Sequence, residues 1–206
     1  MYNKIGGVIM NKNDLRYLKT EKNIINSFLE CVDDLGFEKT RISDICHKAM
    51  ISRNTFYAHY EDKYALLNDI ISQLEKEMME SYQDKIMIDI MHNDAKQAVT
   101  WCFHEVNENR YLIQILLKCS KDKMKTVLYN VFMNHPIDIL MKDYHCNLDN
   151  IKIKLNQTYI ADAWIGYLEV WLNHYDEISM NDAIDFMVKL CEHPIQIYFQ
   201  QLVHSI

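Results

Sequence analysis

Residues Thr40 to Lys63 read TRISDICHKAMISRNTFYAHYEDK, and this stretch organises the reading of the whole chain. It divides into two short helical segments around Met50. In Ile42–Ala49, Ile45 and Cys46 point inward while Ser43, Asp44, His47 and Lys48 point outward, and Thr40 is the nearest side chain able to cap the segment. Ser52 caps the second segment, Arg53–Tyr60. At about 100° per residue, Phe56 and Tyr60 fall about 40° apart and turn into a core, with Asn54, Thr55, Tyr57 and Ala58 on the opposite arc. An ordinary surface helix displays Glu and Lys there. This one displays groups that donate, accept, stack or stay small, which is what close approach to base edges and phosphates requires.

Upstream, Thr20 or Asn23 opens a long helix whose Ile24, Ile25, Phe28, Leu29, Val32 and Leu35 form one apolar face. Gly36 supplies the left-handed residue that stops it, and Phe37 follows as the hydrophobic contact. The first ten residues, MYNKIGGVIM, have no helical period and no signal-peptide pattern. Gly-Gly-Val-Ile before Met10 is also what an in-frame ribosome-binding site would encode, which makes Met10 an alternative start to Met1. Downstream, Asp62 caps a helix with the inner stripe Leu66, Leu67, Ile70, Ile71, Leu74 and Met78. Further helices are expected at Asp94–Asn107, Asn109–Cys119, Lys121–Tyr144 (bent at Pro136), Asn150–Asn173 and Ser179–Leu202 (kinked at Pro194).

With only 4 Gly and 2 Pro in 206 residues, the fold class is all-α. The net charge of -7 is unevenly placed. Residues 1–63 hold 10 Lys+Arg against 9 Asp+Glu, so the remainder carries -8. The proposed reader is thus only mildly basic, and bulk charge gives it little non-specific affinity. The 6 Cys are dispersed without a CxxC pair, which reads as reduced thiols in a cytoplasmic protein. No apolar run is long enough to cross a bilayer; the nearest, Leu155–Leu172, is broken by Asp162 and Glu169.

Gly36-Phe37, Thr40, Ile42, Asp44-Ile45, Ile51-Ser52-Arg53-Asn54-Thr55-Phe56-Tyr57, Tyr60, Lys63 and Leu66-Leu67 resemble, in order and spacing, the DNA-binding region of the tetracycline-repressor (TetR) family. The resemblance implies a three-helix helix-turn-helix domain and a larger helical domain for dimerisation and small-molecule binding. The expected division is an arm over residues 1–19, a reader over 20–65 and a regulatory domain over 66–206. Carried over by position, Ser52, Arg53, Asn54, Thr55, Tyr57 and His59 face the major groove or its phosphates. Lys63 is expected on the phosphate backbone, with Arg41 and Ser43 as further contacts. Thr55 and His59 have packing against neighbouring turns as their alternative. Three positions depart from the family's pattern: Arg41 for a Ser or Thr cap, Cys46 for a small alanine, and Met50 for a turn glycine. Met50 is therefore expected to adopt a positive φ.

The stretch Tyr159–Leu172 is apolar nearly all round, so it is expected to be covered on more than one side. Its Tyr, Gly and Trp-Leu spacing, followed by Ser179, resembles the C-terminal domain of the TetR subgroup that includes regulators of dihydroxyacetone kinase genes. The resemblance implies a homodimer through the last two helices, about 150–173 and 179–202, and a double-stranded DNA operator as partner. It also implies a small-molecule effector, for which Trp101, Tyr129, Asp162, Trp164 and Tyr167 are the candidate contacts; packing is the plainer role for each aromatic ring. The neighbours Cys102/His104, His145/Cys146 and Cys191/His193 do not chelate alone, because i, i+2 side chains on a helix point about 200° apart. No metal, cofactor or enzymatic activity is expected: the chain has no phosphate loop, nucleophile elbow or HExxH.

Overall fold

The computed structural model describes residues 2–5, 8–11, 15–85, 95–131 and 151–190. Its body is helical: α1 (Leu15–Leu35), α2 (Ile42–Lys48), α3 (Arg53–His59), α4 (Lys63–Lys85), α5 (Ala95–Glu108), α6 (Arg110–Cys119), α7 (Lys121–Tyr129), α8 (Ile151–Asn173) and α9 (180–190). Within the expected arm, β1 (Tyr2–Ile5) pairs antiparallel with β2 (Val8–Asn11), Tyr2 opposite Asn11. The expected bends at Pro136 and Pro194 lie outside the described residues.

The chain forms two compact units, residues 1–73 with 115–121, and residues 74–114 with 122–206. The division thus falls inside α4 and inside α6 rather than near residue 65. The first unit has a core of Ile24, Phe28, Ile45, Phe56 and Leu66, all fully buried, over which Phe28 and Phe37 meet edge to face at 6.2 Å. α2 and α3 have 7 residues each, too few to persist as isolated helices, so this shared burial is what holds them in place.

Local chemistry sets the boundaries. Gly36 stops α1 at φ +80, its N–H donating to the Val32 carbonyl at 2.8 Å. Asp62 caps α4, one carboxylate oxygen accepting from the Tyr64 and Ala65 amides at 2.8 and 2.7 Å. In α4, Leu66, Leu67, Ile70, Ile71, Leu74 and Met78 are all buried, as their spacing predicts. Two expectations are corrected. α1 begins at Leu15, not at Thr20 or Asn23, because Tyr17 in its first turn is buried against a ring of α3. Thr40 does not cap α2; its hydroxyl is shared between the Gly36 and Cys31 carbonyls at 2.9 and 3.2 Å.

In the second unit, Phe103 of α5 lies 4.8 Å from Trp171 and 6.0 Å from Tyr167, both of α8. The Tyr167 hydroxyl donates to the Ala183 carbonyl of α9 at 2.9 Å. Ser179 caps α9 by accepting from the Asp182 amide at 3.1 Å. On α8, Ile160, Trp164, Ile165, Leu168 and Trp171 are buried, whereas Ile151, Leu155, Tyr159, Gly166 and Val170 are exposed. At about 100° per residue the exposed set fills a single arc of about 100°. No helix among the described residues is long and apolar enough to cross a membrane.

Candidate nucleic-acid interface

Two caps and a left-handed turn fix α3 against α2. At α2 the N-cap residue is Arg41, whose side chain has no oxygen to offer. The Asp44 carboxylate instead accepts from the Arg41 N–H at 2.9 Å, so half of a capping box survives the missing Ser or Thr. At α3, Ser52 Oγ accepts from the Thr55 amide at 3.1 Å, as its position predicts.

Between them Met50 has φ 52, the positive value expected where glycine is absent. The Ile51 amide donates to the Cys46 carbonyl at 3.0 Å and the Met50 amide to the His47 carbonyl at 3.2 Å. That pair of bonds is a Schellman ending with methionine at its left-handed position. Asn23 of α1 adds a pin, Nδ2 donating to the Ala49 carbonyl at 2.7 Å. The Met50 side chain is 92 % exposed, so its backbone conformation has no packing to offset the strain. Met50→Gly should therefore raise unfolding stability by about 0.5–1 kcal/mol, the strain relieved less the entropy glycine adds to the unfolded chain. Urea titration checks this, and a loss of stability would mean the methionine side chain does more than tolerate the turn.

The outward arc of α3 is open. Arg53, Asn54 and Tyr57 are exposed, Tyr57 at 48 %, directly above the fully buried Phe56. Arg53 and Arg41 are exposed cations with no ion pair among the described residues. Ser43 is half-buried in the first turn of α2. Thr55 is half-buried and its hydroxyl lies 2.9 Å from Ser52 Oγ, so it belongs to the cap as much as to the face.

Two further residues expected on DNA are engaged inside the unit. His59 stacks on Tyr17 of α1 with ring centroids 4.0 Å apart. Beside it the buried Tyr60 hydroxyl donates to Asp69 of α4 at 3.1 Å; burial first, then the Glu21 and Asp69 charges, hold that hydroxyl protonated above its ordinary range. Lys63 Nζ donates to the carbonyls of Phe37, Glu38 and Thr40 at 2.8, 3.2 and 3.1 Å. Lys48 is likewise held by Asp34 and Glu30 of α1 at 2.9 and 3.1 Å, and those contacts raise its pKa. The face thus draws on fewer cations than the sequence counts.

The expected effector residues differ in exposure. Trp101 and Trp164 are buried, and Tyr167 is half-buried with its hydroxyl committed to Ala183. Tyr129 and Asp162 are close enough that the carboxylate, after burial, pushes the tyrosine pKa up. Asp162 itself is exposed, on the same arc of α8 as Leu155 and Tyr159. Cys102 is buried and His104 exposed, diverging as i, i+2 residues must; the other two Cys/His pairs lie outside the described residues.

A short helix capped by serine, seated on a phenylalanine and presented by a tight turn from a second helix is a helix-turn-helix domain. Residues 24–70 match the bacterial regulatory proteins of the tetR family, and this domain is of that family. The chain is 24% identical over 166 residues to the uncharacterized HTH-type transcriptional regulator YxbF of Bacillus subtilis (strain 168). That match takes in 80% of this chain and 42% of YxbF, so the chain spans less than half the length of this relative. A TetR transcriptional regulator from Streptococcus agalactiae 2603V shares the fold with a TM-score of 0.63 at 19% identity, over 86% of this chain and 96% of that one. The dihydroxyacetone kinase operon activator DhaS shares it with a TM-score of 0.57 at 17% identity, over 87% and 98%.

Proposed function

We propose that the protein is a cytoplasmic, homodimeric transcriptional regulator, rather than an enzyme, that reads a near-palindromic operator and is controlled by a small molecule. The observation that carries this reading is the outward arc of α3, where Arg53, Asn54 and Tyr57 stand exposed on a helix fixed by Ser52 and Phe56. Arg53 suits a phosphate or a guanine edge, Asn54 an adenine edge, and Tyr57 a phosphate or a thymine methyl. Arg41 and Ser43 flank them at the start of α2. A second copy is called for by the exposed apolar side chains Ile151, Leu155, Tyr159 and Val170 of α8, whose arc Asp162 shares, together with Phe186 and Leu190 of α9. Gly166, near the middle of that arc, lets two helix backbones approach closely.

In this reading the effector binds the larger unit, and α4 carries its effect to the reader by setting the separation of the two α3 helices. Released and bound states then differ in whether that separation matches successive major grooves, about 34–36 Å apart. The effector acts only through its preference for one state. Tyr129 with Asp162, and the buried indole N–H of Trp171, which has no acceptor among the described residues, are the polar groups best placed to orient it. Repression is the default consequence of operator binding. Activation is the alternative, favoured by the shared fold of a protein named as an operon activator.

Arg53→Ala and Tyr57→Ala test the reading on DNA from upstream of the chain's own gene. Each should weaken binding by about 10- to 100-fold, since a good contact is worth about 1–3 kcal/mol, while the dimer stays intact. Arg53→Ala should also reduce the salt dependence by about one ion. Unchanged affinity in both variants would remove α3 from the interface.

A further inference from the structure

We infer that Lys63 is not a phosphate contact but the positioning residue of the reader: its ammonium locks the segment 37–40, and hence the start of α2, onto the first turn of α4.

An ammonium has three donors, and here the Phe37, Glu38 and Thr40 carbonyls accept all three, at 2.8, 3.2 and 3.1 Å. The same nitrogen lies 4.5 Å from the centre of the Phe37 ring and 5.6 Å from that of Tyr64. Phe37 is buried, packed edge to face against Phe28 of α1 and Tyr64 of α4. The charge therefore sits in the turn that follows α1, where main-chain carbonyl oxygens gather. Thr40 closes the same turn from the other side through the Gly36 and Cys31 carbonyls. One residue further on, Arg41 begins α2. A phosphate would have to strip Lys63 from three oxygens and an aromatic face, leaving part-buried carbonyls without a donor.

The consequence deepens the proposed function and rests on its DNA-reading part. The residue that starts α4 also holds the entrance to α2, so a displacement of α4 is passed to the reader at this point.

The test compares Lys63→Met and Lys63→Arg in the full chain. Arginine keeps the charge, but its planar fork cannot aim three donors at three carbonyls on one centre. In the DNA-free protein, exchange of the Thr40, Asp44 and Ile45 amides, whose bonds close this turn, should accelerate at least about tenfold in both variants while amides of α8 keep their rates. Operator affinity should fall at least about tenfold in both, because arginine restores charge but not position. Unchanged exchange in both variants, with Lys63→Arg binding like the parent and Lys63→Met losing about one ion of salt dependence, overturns the inference in favour of a phosphate contact. A chain that binds no operator at all defeats the functional reading, and the exchange result still decides the role of Lys63.

Discussion

Replacing Phe56 by alanine should cost about 3–5 kcal/mol of stability and remove DNA binding altogether. The ring is fully buried, meets Tyr57 edge to face at 5.8 Å and lies tilted against Tyr60 at 6.2 Å. α3 has only 7 residues, too few to persist without an anchor in the core. A loss of that size takes up a large share of the roughly 5–15 kcal/mol that holds a typical domain together. Urea unfolding measures it directly. A cost below about 1 kcal/mol would mean that Tyr60 and Leu66 close over the gap and that Phe56 is not the anchor.

Gly166→Arg should convert the proposed dimer to a monomer without harming the protomer. A Cβ at this position would meet nothing within 4 Å, and the site is an exposed helical one. Within one protomer the change even gains about 1 kcal/mol of helix propensity. In the proposed dimer it places a charge and a long side chain where two apolar helices meet, so the dimer should weaken by at least about a thousandfold. Sedimentation or light scattering reads the assembly, and thermal unfolding reads the protomer. A dimer of undiminished strength would remove the α8 arc from the interface.

The parts of the reader legible in the sequence are those written in side-chain type and spacing. Phe56 and Tyr60 announce themselves by helical period, Ser52 and Asp62 by capping chemistry, and Gly36 by the left-handed residue a helix ending needs, whereas Met50 is legible only through the family resemblance. Lys63 was legible only as a cation near the reader. Its partners are the main-chain carbonyls of residues 37, 38 and 40, and a carbonyl leaves no mark on the identity of the residue that bears it. Tyr17 on His59 and Asn23 on Ala49 are contacts across many residues, which periodicity cannot reach. For the larger unit, the apolar residues on the exposed arc of α8 are legible because Tyr159–Leu172 is apolar nearly all round. The grouping of effector residues is not, since aromatic spacing on separate helices does not say which rings meet.

The division inside α4 and α6 has a practical consequence for anyone cutting the gene. A fragment ending at Gln73 would lack residues 115–121, which belong to the same compact unit and include Lys118, ion-paired with Asp33 of α1 at 3.0 Å. Because the N-terminal unit is completed by a later piece of chain, a ribosome finishes it only after synthesising α5 and all of α6. A reader made on its own should be a poorer folder than the same residues within the full protein, and a protease should find no loop at which to part the two units cleanly.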